Sequence, residues 1–281
     1  MDGRLELGSN RLNDTGSRST YRAEYPALEN LEPTQLSWLA GLRTEKELSD
    51  VVAIGGRLSR GTRLPDHLER YGYYIYQPLD GYFYIGNPGL EPELSSQAEL
   101  YTVFGSGRSA ISGRVAVWVN RMENYVAGER FDDLFKRHDN MGIATLWGSE
   151  AEMSIEMSRN WSLSGTLSWI LGYHSELDEP LPMIPPLRGS ASLNRNFERA
   201  DFEMRVRWSA TQERVADRNH LEERTPGHTV LDLFGRVNLS SALRLQLGVE
   251  NLFNTHFADH LSVNAFPEPG RNLQVSLIWR I

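Results

Sequence analysis

The sequence predicts an all-β chain, an antiparallel transmembrane β-barrel of about twelve strands. Three observations predict it. Segments of about ten residues alternate between apolar and polar positions, which is the length and period of a tilted strand with one face in lipid. The connections between them are alternately short and long. No run approaches the roughly 18 apolar residues of a membrane helix, and the mean hydropathy is -0.45.

The clearest segments close the chain. Leu231, Leu233, Val237 and Leu239 alternate with Asp232, Phe234, Arg236 and Asn238. Leu243, Leu245, Leu247 and Val249 alternate with Arg244, Gln246, Gly248 and Glu250. Leu273, Val275, Leu277, Trp279 and Ile281 alternate with Gln274, Ser276, Ile278 and Arg280. Successive strand side chains point to opposite faces, so each segment has an apolar and a polar face.

From the N-terminus, Gly3 to Ser9 predicts a short strand, and the polar, turn-rich stretch from Asn10 to Pro33 predicts a loop. Leu36, Trp38, Ala40 and Leu42 mark a strand that turns at Leu48-Ser49-Asp50 into Val51 to Gly61. Arg63 to Leu94 predicts a long loop crowded with aromatic residues. Ser95 to Gly105 is a strand, Ser106-Gly107-Arg108 its turn, and Val115, Val117 and Val119 mark the next strand. Asn124 to Asn140 is a charged loop. Ala151, Met153, Ile155 and Met157 then oppose Glu150, Glu152, Ser154 and Glu156. After a turn at Arg159-Asn160, the odd positions from Trp161 to Tyr173 continue the pattern. Ser175 to Leu187 carries four prolines, which cannot donate to a ladder, so no strand is expected there. Ala191 and Leu193, then Phe202, Met204, Val206 and Trp208, mark two more strands before a charged loop from Thr211 to His228. No helical period persists, so no helix is expected.

Short connections fall near Ser49, Gly107, Asn160, Arg199 and Ser241. That alternation predicts periplasmic turns at one end and external loops at the other. Trp161, Trp169, Trp208 and Trp279 fall on the lipid phase as belt residues. Glu150, Glu152, Glu156, Glu203, Arg205, Arg207, Asp232, Arg236, Arg244 and Glu250 fall on the interior phase, where opposite charges pair across strands.

Composition narrows the function. There are no cysteines, so disulfides and thiolate metal sites are excluded. A net charge of -8 argues against a nucleic-acid binder. Lys46 and Lys136 are the only lysines. No phosphate loop, nucleophile elbow or zinc-type histidine pair is present, so no catalytic residue, cofactor or resident metal is assigned, and no enzyme is expected. Asp132-Asp133 and Glu222-Glu223 read as solvated loop charge. His220 and His228 share one long loop, and His256 and His260 another. Met1-Asp2-Gly3-Arg4 shows no signal-peptide features. An outer-membrane barrel is exported, so residues 1–281 are expected to be part of a longer protein or a late-started reading frame.

Two motifs carry a resemblance. One is Val249-Glu250-Asn251-Leu252-Phe253-Asn254, then Phe257, then Pro269-Gly270-Arg271-Asn272 before the last strand. The other is Leu58-Ser59-Arg60-Gly61-Thr62-Arg63-Leu64-Pro65 followed by Asn87-Pro88-Gly89-Leu90-Glu91-Pro92-Glu93. In this order they resemble the C-terminal part of the barrel of TonB-dependent outer-membrane receptors, from about Leu36 to Ile281. The resemblance implies a 22-stranded barrel holding a plug domain, of which no segment is recognisable here. It also implies active uptake of a metal chelate across the cell outer membrane, with iron transport through a ferric siderophore as the default. TonB would act through the plug. The expected partners are outer-membrane lipid and the chelate. Copper or cobalamin receptors of the same family, a passive porin or adhesin barrel, and a soluble carbohydrate-binding module remain alternatives. Met141, Met153, Met157 and Met183 are the thioethers open to a copper reading, Met153 and Met157 falling on the lipid phase.

For the ligand, the candidate residues are Arg63, Arg70, Tyr71, Tyr73, Tyr74, Tyr76, Tyr82 and Tyr84 in the aromatic loop. They offer flat faces and donors suited to an aromatic, anionic chelate. Self-packing of the loop and an interfacial aromatic girdle are the competing readings.

Overall fold

Strands joined by tight turns must pair antiparallel with their sequence neighbours, and that rule alone orders this chain. The computed structural model describes residues 2–9, 15–28, 30–105, 109–219, 222–262 and 265–279. The expected turn at 106–108, His220 and the terminal Arg280-Ile281 lie outside them. In order, the elements are β1 (Asp2–Ser9), α1 (Thr15–Glu24), β2 (Thr34–Ser49), β3 (Val52–Arg63), α2 (His67–Tyr71), β4 (Ile75–Gln77), β5 (Tyr82–Ile85), β6 (Glu93–Phe104), β7 (Ile111–Glu123), β8 (Val126–Arg130) and β9 (Phe135–Asn140). They continue with β10 (Ile143–Ser158), β11 (Trp161–His174), β12 (Glu179–Pro180), β13 (Arg188–Asn196), β14 (Ala200–Ser209), β15 (His228–Asn238), β16 (Leu243–Glu250) and β17 (Asn272–Trp279).

Twelve strands form one antiparallel path, β1-β2-β3-β6-β7-β10-β11-β13-β14-β15-β16-β17, matching the expected number. β1 and β17 end the path and do not pair with each other, so the sheet is open. Its register keeps the two phases apart across the sheet. Leu42, Leu58, Ala98, Val119, Trp147 and Leu171 lie side by side in one row. On the other face Arg207 Nε bonds Asp232 Oδ2 at 2.6 Å. There Arg205 bonds Glu203 at 2.7 Å, and Arg114 pairs with Glu99. A one-residue slip would exchange these faces, so the pattern fixes the register.

Aromatic rings on glycines pin the register further. Tyr101 lies opposite Gly55, Trp118 opposite Gly148 and Phe234 opposite Gly248. A Cβ on Gly55 would sit 2.2 Å from the Tyr101 ring, and one on Gly148 would sit 2.2 Å from Trp118. The ring fills the space that glycine leaves and restores packing to a weak strand position.

The long connections are more ordered than the sequence suggests. Asn10 to Pro33 contains α1, which corrects the expectation of a loop without helix. The signal was Tyr21 and Tyr25, four residues apart, with Leu28 and Leu31 beyond. Tyr21, Leu31 and Tyr71 form a buried cluster against which Tyr25 and Leu28 pack. Arg63 to Leu94 contains α2, β4 and β5, and Asn124 to Asn140 contains β8 and β9. These strands form a second sheet, β4-β5-β9-β8, in which β5 and β9 run parallel. The proline-rich loop also departs from expectation, because β12 pairs with the end of β11 through Tyr173–Pro180 and His174–Glu179. Proline is tolerated there because β12 lies off the main path, at an edge.

Candidate functional site

All the long connections leave the same end of the sheet, so any ligand site built from loops lies there. Its foundation is the paired motif. Arg63 and Glu93 are opposite each other in β3 and β6, and Arg63 Nε bonds Glu93 Oε2 at 2.6 Å. The same guanidinium grips both oxygens of Glu69 at 2.9 and 3.0 Å. Glu69 also closes the capping box of α2 with Asp66. One arginine thus ties the barrel wall to the first turn of the loop helix.

Arg70 is the next anchor. Its side chain is buried and donates to the Pro88 and Leu90 carbonyls at 2.8 and 2.9 Å, and also to Gln35. Burial pushes this guanidinium's pKa down. Tyr71 donates to the Leu31 carbonyl at 2.7 Å, and burial raises its phenol. From the other side, Tyr21 donates to Gly72 O and Tyr25 to Gly86 O, each at 2.8 Å.

The second sheet is built around a buried ion pair. Lys136 Nζ is fully buried, 2.7 Å from Asp80 Oδ2 and 4.3 Å from the centre of the Tyr82 ring. Tyr84 donates to the same Asp80 at 2.6 Å. Burial, then the hydrogen bond to Asp80, raises the Tyr84 phenol well above its ordinary range. Burial lowers Lys136, partly offset by Asp80. The His138 ring lies tilted against Tyr84, with centroids 4.8 Å apart, and burial pushes its imidazole down.

The eight expected ligand residues therefore separate into two groups. Arg63, Arg70, Tyr71, Tyr82 and Tyr84 are engaged in holding the loops together. Tyr73, Tyr74 and Tyr76 are exposed, at 38%, 52% and 53%. These three belong to a continuous series of ring contacts. Tyr73 meets Tyr74 at 4.4 Å, Tyr74 meets Phe135 at 5.2 Å, Phe135 meets Phe83 at 5.7 Å, and Phe83 meets Tyr76 at 5.2 Å. Phe131 extends the series from Phe135. Tyr74 adopts φ 55, a left-handed backbone that disfavours a bulky side chain. Such strain persists only where surrounding contacts enforce it, and here the Tyr74 ring sits between Tyr73 and Phe135. Sequence reading missed Phe131 and Phe135 because they belong to a different loop.

The remaining long loops are also clasped. Glu222 accepts from the Met183 N–H at 2.6 Å and the Ala216 N–H at 2.8 Å, and His260 Nε2 lies 3.2 Å from it. Although burial opposes it, His260 and these two amides hold the Glu222 carboxyl below its ordinary range. Thr225 bonds the other ring nitrogen of His260 at 3.0 Å. His228 stacks on Phe257 at 4.1 Å. The closing motif has a mechanical role too. Asn251 and Asn254 adopt φ 51 and φ 55. The Asn251 side chain accepts from Thr255 N and donates to Thr255 O, and Asn254 accepts from Arg271 N at 2.8 Å. The motif folds the last long loop back to the start of β17.

The comparisons agree with this architecture. The family model described as "TonB dependent receptor-like, beta-barrel" matches residues 6–252. No curated protein matches the chain. Among solved structures, the copper transporter OprC is 20% identical, with a TM-score of 0.76 over 88% of this chain and 40% of its own. The siderophore receptor PirA from Acinetobacter baumannii is 16% identical, with a TM-score of 0.72 over 88% of this chain and 41% of its own. A ferric enterobactin receptor mutant from Pseudomonas aeruginosa, solved with enterobactin, is 19% identical, with a TM-score of 0.69 over 88% and 42%. At these identities the likeness shows the fold, and the chain spans about two fifths of each neighbour's length. No helix among the described residues is long and apolar enough to cross a membrane. The family is one of outer-membrane receptors and transporters rather than enzymes, and this chain belongs to it, the TonB-dependent receptor β-barrel family.

Proposed function

We propose that this chain forms the ligand-facing wall and external loops of a receptor that takes up a metal chelate, with a ferric siderophore as the cargo. Energy from TonB would reach it through the family's plug domain. The observation that carries the reading is the exposed series of rings, Tyr73, Tyr74, Phe135, Phe83 and Tyr76, at the end where the long connections gather. Flat, electron-rich faces suit the aromatic arms of a chelate, and tyrosine hydroxyls can donate to its oxygens. Arg130, whose side chain is 42% exposed, lies 5.8 Å over the Tyr82 ring and pairs with exposed Asp133 at 2.7 Å. Arg63 and Arg70 act indirectly, by holding the loop that presents the rings.

The test uses the full-length receptor in detergent, titrated with an iron(III) catecholate. Replacing Tyr73, Tyr74 and Tyr76 together by alanine should weaken binding about tenfold to a hundredfold. Tyr82→Phe, which leaves the packed ring in place, should bind as the parent does. An unchanged dissociation constant in the triple variant would remove these rings from the ligand site.

A further inference from the structure

The lipid-facing surface carries an unexpected row. Reading sideways through the pairing, Ala40 lies beside Arg60, Arg60 beside Ser96, Ser96 beside Arg121, Arg121 beside Thr145, and Thr145 beside Tyr173. Directly opposed residues point to the same face, so both arginines and all three hydroxyls share one side of the sheet. That side is the apolar one, because the row two residues nearer the short turns is Leu42, Leu58, Ala98, Val119, Trp147 and Leu171. Arg60 and Arg121 are both exposed. They sit two strand spacings apart, about 10 Å. Arg121 pairs with Glu123 on its own strand, and Arg60 has no ion-pair partner among the described residues.

Charge on this face is otherwise scarce. By register, the remaining cations turned outward on β2 to β17 are Lys46 and Arg195, at the short-turn end. Arg195 lies 4.6 Å over Trp161. Arginine on a lipid-facing position is costly at mid-membrane and tolerated near the interface, so the row marks where the external headgroups begin. An arginine fork beside hydroxyls is the donor set for a phosphate, and the apolar row beneath is the surface for its acyl chains.

From this juxtaposition we propose that Arg60 and Arg121, with Ser96 between them, bind the phosphate of an anionic lipid headgroup in the outer leaflet. The site is on the opposite face of the sheet from the chelate path and rests on the membrane placement of the strands, not on the identity of the cargo.

The test uses full-length receptor in neutral detergent and a phosphorylated glycolipid presented in mixed micelles, with retained lipid read by native mass spectrometry. The parent should retain the lipid, and R60Q/R121Q should weaken retention about tenfold or more. Lys46→Gln, a cation at the other rim, should retain it as the parent does. Equal retention by R60Q/R121Q and the parent would overturn the site. So would equal retention of the dephosphorylated glycolipid by the parent, or displacement by inorganic phosphate at the same concentration. Urea unfolding in lipid-free detergent should be unchanged in the variant; a lower midpoint would assign the arginines to packing and overturn the site as well. A parent that stays monodisperse without detergent would overturn the membrane placement itself, a result distinguishable from all the others.

Discussion

Replacing Gly55 by alanine tests whether aromatic rings on glycines hold this sheet in register. The added Cβ would lie 2.2 Å from Cζ, 2.4 Å from Oη and 2.7 Å from Cε2 of Tyr101. Carbon atoms in contact sit about 3.5–4.0 Å apart, so the ring must retreat by more than 1 Å or so. It has little room to do so. Tyr101 is 5% exposed. Its hydroxyl donates to Glu45 at 2.7 Å and accepts from Arg43 Nε at 2.9 Å, and Arg114 lies 4.8 Å over its face. Overpacking of this kind costs about 1–3 kcal/mol. Two other strand glycines, Gly56 beside it on β3 and Gly235 on β15, calibrate the measurement. At Gly56 the nearest atom is the flexible tip of Leu100 at 3.3 Å, and at Gly235 nothing lies within 4 Å. The expected order of destabilisation in urea unfolding of the detergent-folded receptor is G55A, then G56A, then G235A, the last being near neutral. Combining G55A with Tyr101→Ala should recover part of the loss, because the two sites are in contact. If G55A and G235A unfold alike, the ring does not pin the register.

Two further outcomes follow from the second sheet. Lys136→Met leaves Asp80, 5% exposed, without its cation, and removing one partner of a buried pair costs about 3–5 kcal/mol. Hydrogen exchange should accelerate in β5 and β9 while the large sheet keeps its protection, and adding Asp80→Asn should restore much of the protection. Equal exchange in Lys136→Met and the parent would mean that the pair is dispensable. His138 gives a pH dependence. Burial depresses its folded pKa, so its contribution is full above the unfolded value of about 6.5 and declines as pH falls below it. Protection of β8 and β9 should therefore decrease between about pH 7.5 and 5.5, and His138→Gln should flatten the change; an unchanged slope would place its origin elsewhere.

The barrel wall was legible because its physics is local. A period of two along each segment determines which side faces lipid, and short turns determine which strand is next. Leu231 and Asp232 announce their faces without any knowledge of the rest of the chain. The loops were not legible because their bonds span distance in sequence. Lys136 and Asp80 are 56 residues apart, and Tyr71 and Leu31 are 40 apart. Nothing near Tyr82 signals that Lys136 from another loop will cover it, and nothing near Arg70 signals that carbonyls 18 and 20 residues on will bury it. Two local signs went unread: Tyr21 and Tyr25, whose spacing fits a helical stripe, and Asp66 and Glu69, whose spacing fits a capping box.

The residues that reveal the family are distinct from those that present a surface to a ligand. Arg63 and Glu93 belong to the most recognisable block, and they are engaged with each other and with α2. Asn251 and Asn254 belong to the closing motif, and their side chains are engaged with the loop they fold. Both motifs solve the same problem: a long external connection must return to a strand end without leaving buried polar groups unpaired. That requirement is independent of any ligand, so the motifs carry the fold and do not identify what is bound. Under the proposed function, cargo choice would fall instead to exposed positions such as Tyr73, Tyr74 and Tyr76. Exchanging the tip of the aromatic loop between two such receptors should therefore move ligand preference while leaving the Arg63–Glu93 tie intact.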